Sequence, residues 1–232
     1  SKLEAIKKSL RVDVSVSNAR LISSSKTILI AVKPQQAREV LEDLKDNLSD
    51  GNLVVSIAAG LALDDIARGI GRMAPVVRAM PNTPAMAGRG FTALCRGRGV
   101  TDGQFREAEK IFRASGQTLA VKEKMMNGIT ALSGSGPAYV FLFMEALSKA
   151  AVSFGFKTET ARKIVLETFA GAVALAFKTG EDPLELRKKV TSKGGTTEAA
   201  IKVMISCRLP EIFGKAVRAC EKRAGELSKS LS

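Results

Sequence analysis

The sequence predicts an open α/β domain followed by an all-helical one, and a contrast between its two parts carries that reading. Up to about residue 122, short apolar runs alternate with stretches whose apolar residues recur at helical spacing. From residue 123 onward only helical periods remain. A third observation is an absence near the front. No strand followed by a G-x-G-x-x-G loop precedes Leu10, so the sheet is expected to lack its first βαβ unit.

Residues 1–10 read as the end of an amphipathic helix, with Leu3, Ile6 and Leu10 on one face. Residues 12–16 alternate like a strand, and Asn18 opens a short helical segment. Residues 27–32 form a near-continuous apolar run, the pattern of a strand buried on both faces of a parallel sheet. The run stops at Lys33-Pro34, and a helix to about Leu48 turns Val40, Leu41, Leu44 and Leu48 inward. Further strands are expected at 52–57, 75–79, 91–95 and 116–121, with helices over 63–70 and 102–115. Such alternation implies right-handed crossovers.

In the second half the helices are broken at 133–137, at Gly155, between Gly180 and Pro183, and at Gly194-Gly195. Ser133-Gly134-Ser135-Gly136-Pro137 reads as a tight helix entry, with Pro137 near the first position. Ile164, Val165, Phe169, Ala172, Ala176 and Phe177 cover more than one helical face. A helix of that kind must be buried on several sides, which points to packing against a second copy. The expected division is therefore 1–122 and 123–232.

The chain has 232 residues, 45% of them hydrophobic and 25% charged, the profile of a soluble globular protein. No apolar run is long enough to span a bilayer, and the first residues lack a signal-peptide pattern. Three cysteines without paired spacing suit buried thiols in a reducing, cytoplasmic setting. The absence of histidine excludes His-based triads and His metal sites. Net charge is +13, but the basic residues are dispersed, and one tyrosine with no tryptophan leaves few base-stacking platforms. This favours a basic surface that attracts small anions over a nucleic-acid partner.

One polar stretch stands out, Ser192-Lys193-Gly194-Gly195-Thr196-Thr197-Glu198, ahead of a helical run. The glycines allow a sharp turn, Thr196 or Thr197 can cap the helix, and Glu198 suits its first turn. Unpaired amides at such a junction converge on a point that fits a small carboxylate. The same residues also make an ordinary turn between helices. Lys33 sits just past a central strand, where ligands of open α/β sheets bind, although a solvated lysine fits there too.

Four segments in this order resemble the pyrroline-5-carboxylate reductase family. They are Ile30-Ala31-Val32-Lys33-Pro34-Gln35, Arg78-Ala79-Met80-Pro81-Asn82-Thr83-Pro84, residues 131–139 around the Ser-Gly-Ser-Gly-Pro entry, and Val190 to Thr197. The resemblance covers essentially the whole chain. It implies a Rossmann-type domain, its first βαβ unit missing here, followed by a helical dimerisation domain that interleaves with a second subunit, the dimers often forming a ring of five, a decamer. The implied activity is reduction of a cyclic imino acid, 1-pyrroline-5-carboxylate, to L-proline with NADPH or NADH. Thr197 is implied as the hydrogen-bonding partner of the ring nitrogen, with Ser192, Gly195, Thr196 and Thr197 around the substrate carboxylate. Glu123 matches a carboxylate near the substrate, though it also suits a helix N-terminus. Asn18, Ala31, Val32, Lys33 and Pro34 match positions lining the cofactor, and Ala79, Met80 and Pro81 match those flanking the nicotinamide. Asn82-Thr83-Pro84 fits either a contact or a turn that orders the loop. Tyr139 fits core and dimer packing, and Glu181 and Lys189 are weaker candidates near the substrate. Lys193 stands where many members have proline. Without the pyrophosphate loop, the chain also fits an oligomer scaffold or inactive fragment.

Overall fold

The computed structural model describes residues 2–71 and 74–231; Ser1, at the start of the first expected helix, lies outside them. The chain divides into two compact units. One runs to Ser135 and takes in the chain from Ala219 onward, and the other is Gly136–Arg218.

The first unit holds a five-stranded sheet in sequence order: β1 (Thr27–Ile30), β2 (Leu53–Ser56), β3 (Val76–Met80), β4 (Gly90–Arg96) and β5 (Gly116–Ala120). β2 shows why the sequence gives an unbroken apolar run. Val54 joins the cluster on one face with Ile30, Leu41, Leu44 and Ile66, while Leu53 and Val55 join Val77, Leu94 and Phe112 on the other. Helix α1 (Lys2–Leu10) leads to α2 (Asn18–Ser23), which is capped by Ser17. The first cluster is covered by α3 (Ala37–Asn47), where Leu41 and Leu44 are fully inward, and by α4 (Leu63–Ile70). The second is covered by α5 (Asp102–Arg113). Its start is fixed reciprocally, because the Gln104 N–H donates to Thr101 Oγ1 and the Thr101 N–H donates to Gln104 Oε1.

Three expectations need correction. Residues 12–16 are not a strand; nothing among the described residues pairs with them, and Val16 is 93% exposed. Alternation alone gives the backbone no ladder in which to satisfy its donors and acceptors. The apolar run at 27–32 yields a strand of four residues that stops at Ile30, and it is the outermost of this sheet, with Leu29 exposed. Finally, β4 runs antiparallel to β3, with Arg78 opposite Cys95. The link between them, containing a 3-10 turn at Thr83–Ala87, is too short for a crossover helix, so the chain must turn back. The other neighbours, β1–β2, β2–β3 and β4–β5, are parallel.

After β5 the described residues hold no strand. A 3-10 turn at Glu123–Met125, helix α6 (Met126–Ile129) and a π-helical turn at Thr130–Gly134 lead to α7 (Gly136–Ser153). The second unit continues with α8 (Thr158–Thr179), α9 (Pro183–Lys189), α10 (Thr196–Ser206) and the beginning of α11 (Leu209–Leu231). Within it Phe143 and Phe213 stack at 5.4 Å. Gly180 takes a left-handed conformation to end α8, and Arg208 does the same between α10 and α11 without being glycine. That last break carries no glycine signal in the sequence. No described helix is long and apolar enough to cross a membrane.

The core makes a direct expectation. Leu44 is wholly buried and Met86 is 95% exposed. Leu44→Ala is expected to cost about 3 kcal/mol in urea unfolding, whereas Met86→Ala stays within about 0.5 kcal/mol of the parent.

Candidate active site

Because β1, β2 and β3 are parallel neighbours, the segments that follow them emerge at one edge of the sheet. The Ile57 N–H donates to the Ile30 carbonyl at 3.0 Å and ties two of these segments together. Ala31 and Lys33 are exposed, Val32 is half-buried against the core, and the Lys33 carbonyl accepts from the Gln36 N–H at 2.9 Å. Pro34 opens the 3-10 turn Pro34–Gln36; its side chain lies outside the description. Ala79 is buried and Met80 and Pro81 are partly buried at the end of β3. Asn18 is the first residue of α2, and its Nδ2 donates to Asp43 Oδ2 of α3 at 2.8 Å. The sequence reading leaves out the segment after β2, Ile57-Ala58-Ala59-Gly60, which lies between the other two at this edge. Its signal was the small Ala-Ala-Gly run after a buried strand, with Gly60 at φ +78°.

Beyond Pro81, Asn82 orders the loop. Its Nδ2 lies 3.2 Å from both the carbonyl and the hydroxyl of Ser133, and its Oδ1 accepts from the Phe91 N–H at 2.9 Å. The π-helical turn that carries Ser133 also brings Gly134 onto Met80. A Cβ at residue 134 would stand 2.5 Å from Met80 Cε, so any larger residue there must push the end of the Met80 side chain aside.

Glu123 is held beneath the same strand. Arg78, 4% exposed, donates from Nη1 to Glu123 Oε1 at 2.5 Å, and the Leu63 N–H at the head of α4 donates to that oxygen at 3.3 Å. The other oxygen, Oε2, is buried with no hydrogen-bond partner among the described residues, although the side chain as a whole is 34% exposed. Burial, followed by the adjacent Glu123 carboxylate, pushes the Cys95 thiol up to about 12. Neither the Arg78 pairing nor the Cys95 contact is visible as a sequence pattern; both follow from strand register.

In the second unit, Ser192 to Thr197 form one turn. Gly194 is left-handed at φ +75°, and the Gly195 N–H donates to the Ser192 carbonyl at 3.0 Å. The N-cap of α10 is Gly195 rather than Thr196 or Thr197, which occupy the first two helical positions. The helix starts one residue earlier than expected because Glu198, at the third position, reaches back to accept from the Gly194 N–H at 2.8 Å. With glycine at the cap, no side chain takes up the amides of the first turn. Thr196 and Thr197 are exposed there. Lys189 pairs with Glu181 just upstream.

The expected residues thus fall into separate groups. Ala31 to Pro34 and Ala79 to Pro81 share a strand edge in the first unit, where Glu123 is bound to Arg78. Ser192, Gly195, Thr196 and Thr197 share a turn in the second. Among the described residues, no group of three or more His, Cys, Asp or Glu side chains could hold a metal ion.

Comparison with known proteins adds a further set of observations. Residues 123–227 match the family model described as pyrroline-5-carboxylate reductase dimerisation, and residues 1–60 match that described as NADP oxidoreductase, coenzyme F420-dependent. The chain is 38% identical to a pyrroline-5-carboxylate reductase of Pseudomonas aeruginosa, over 95% of this chain and 81% of that protein. It is 40% identical to one from Synechocystis, over 97% and 83%. A solved pyrroline-5-carboxylate reductase from Coxiella burnetii superimposes with a TM-score of 0.91 at 43% identity, covering 98% of this chain and 85% of that one. A Plasmodium falciparum pyrroline carboxylate reductase with NADP bound gives 0.88 at 31% identity, covering 94% and 82%.

The Cys95 environment is open to test. At pH 9 a thiol of ordinary pKa 9.0 is half ionised, whereas one raised to about 12 is ionised in roughly one molecule in a thousand. Iodoacetamide at that pH is therefore expected to label exposed Cys207 and spare Cys95 in the folded protein, as read by mass spectrometry. The folded protein holds the Cys95 proton to a higher pH than the unfolded chain. Its contribution to stability is therefore full below pH 9.0 and is lost as pH rises toward 12.

Proposed function

The chain belongs to the pyrroline-5-carboxylate reductase family, and from that premise we propose that it reduces 1-pyrroline-5-carboxylate to L-proline with NADPH or NADH, the last step of proline biosynthesis. The observation that carries the reading is the Gly194-to-Thr197 turn, whose open first-turn amides suit one small carboxylate and whose hydroxyls suit one ring nitrogen. Identity of 38–43% to named reductases over nearly the whole chain supports it.

The residues at the strand edge fit a dinucleotide. Ala31, Ala58, Ala59, Gly60 and Ala79 are small, which leaves room for a flat ring against the ends of three parallel strands. Ala31, Val32, Lys33, Pro34 and Asn18 are assigned to one part of the coenzyme, and Ala79, Met80 and Pro81 to its nicotinamide half. Bound there, the reduced coenzyme supplies a hydride. The chain's own residues then have limited tasks. The backbone around Gly195, Thr196 and Thr197, with Ser192, holds the substrate carboxylate, the Thr196 and Thr197 amides donating while the Gly195 N–H stays on the Ser192 carbonyl. The Thr197 hydroxyl hydrogen-bonds the ring nitrogen and fixes the face presented for reduction. In the product that nitrogen carries one more proton and the adjacent carbon one more hydrogen. Glu123, paired with Arg78, is assigned to the substrate side of the same reading, where its charge favours the protonated imine.

Dinucleotide binding is assigned to residues 1–122, and substrate binding and dimerisation to 123–232. The matched dimerisation region begins at residue 123. The homodimer forms through the helical part, where Phe141, Leu142 and Phe177 present apolar side chains to solvent in a single chain. Assembly of dimers into a ring of five and a cytoplasmic location belong to the same reading.

Turnover is checked by following loss of NADPH fluorescence with the cyclic imine; no rate above background overturns the activity. Thr197→Ala is expected to lower kcat by about tenfold or more, the loss of one hydrogen bond to a charged group, with NADPH affinity unchanged. Phe177 is 83% exposed in the single chain. Phe177→Glu is expected to shift dimers to monomers in sedimentation analysis.

A further inference from the structure

Helix α10 begins in an unusual way. Its cap is a glycine without a side chain, so the residue that fixes the entry is Glu198 at the third helical position. Its Oε2 accepts from the Gly194 N–H at 2.8 Å, and Lys202 Nζ lies 3.4 Å from the same oxygen. Gly194 is left-handed at φ +75°, a conformation with no intrinsic preference to persist. One carboxylate therefore occupies one amide of the turn and leaves those of Thr196, Thr197 and Glu198 itself for a ligand.

We propose that Glu198 is a positioning residue that sets affinity for the substrate carboxylate through two opposed effects. This rests on the reading of the Gly194-to-Thr197 turn as the carboxylate site. The hydrogen bond from Gly194 to Glu198 locks the turn, so the free amides point one way before a ligand arrives, which raises affinity. The charge of Glu198 stands on the rim of a site meant for another anion, which lowers affinity. Lys202 offsets part of that charge. Glutamine at 198 retains an acceptor for the Gly194 N–H and removes the charge; alanine removes both.

The test is calorimetric titration of L-proline into the protein with NADP+ present, together with steady-state KM for the cyclic imine. Glu198→Gln is expected to tighten L-proline binding and lower KM about two- to fivefold, the range of an exposed charge pair. Glu198→Ala is expected to weaken binding despite losing the same charge, and to speed hydrogen exchange at the Gly194 amide. Raising ionic strength should shrink the difference between the parent and Glu198→Gln. Lys202→Met should weaken binding, because it uncovers the Glu198 charge. If Thr197→Ala weakens L-proline binding while both Glu198 variants retain parental affinity, this inference is overturned and the site reading stands. If Thr197→Ala and both Glu198 variants all leave affinity unchanged, the turn is not the carboxylate site and both fall.

Discussion

A buried guanidinium decides where the chain goes after the sheet. Arg78 sits on β3 with Ser56 on one side and Cys95 on the other, and it is withdrawn from water. A charge in that position needs an anion within reach, because leaving it unpaired costs several kcal/mol. Glu123 supplies the anion from the first turn after β5. Once that turn is pinned to β3, Met126 enters the cluster with Ala93 and Cys95, and the π-helical turn comes to rest with Gly134 on Met80 and Ser133 on Asn82. The end of β3 is thus held from both directions, by its sheet neighbours and by the segment that Glu123 anchors. The end of β3 and the residue after it are Ala79, Met80 and Pro81, proposed above to flank the nicotinamide.

Much of this was legible in the sequence, and the reason differs by element. β2 was readable because both its faces are buried, which leaves an apolar run. α4 was readable to the residue because it begins after an apolar turn and ends at Gly71, which is left-handed. What failed was whatever depends on a partner distant in sequence. The alternation at 12–16 promised a strand, but a strand exists only as half of a pair. The direction of β4 depended on the length of the link from β3 and not on any residue within β4. Among the site residues, the Gly-Gly turn was legible because glycine pairs mark turns. The bonds from Arg78 to Glu123 and from Asn18 to Asp43 were not, since they join residues 45 and 25 positions apart.

The helical unit shows a different sequence-to-structure relation. α8 is not amphipathic in the usual sense. Val165 is buried within the unit, while Ile164, Val173 and Phe177 face solvent in the single chain. A helix with apolar residues all round can satisfy only part of its surface against neighbours in a unit of this size. The stacked pair Phe143 and Phe213 shows how α7 and α11 close one side of their own unit, and Phe141 and Leu142 remain outside that contact. An oligomer is the arrangement in which these residues add stability rather than exposure, and the match to a dimerisation family agrees with that requirement.

In the proposed site the carboxylate is held by backbone geometry, in a chain that has no histidine. An amide needs no protonation to hold a carboxylate, and its direction is set by the turn that carries it. This explains why two adjacent glycines are needed and why they are needed for different reasons. Gly194 is required by conformation, since φ +75° strains any residue with a Cβ. Gly195 has an ordinary φ of −83°, and its constraint is space: a Cβ there would stand 2.5 Å from Ser192 Oγ and 3.1 Å from the Ser192 carbonyl. Alanine at either position disturbs the turn by a separate route, one through the backbone and the other through Ser192. The side chain at 192 and the amides at 195 to 197 are thereby one constructed unit, in which the absence of a Cβ is what lets the hydroxyl and the helix start approach each other.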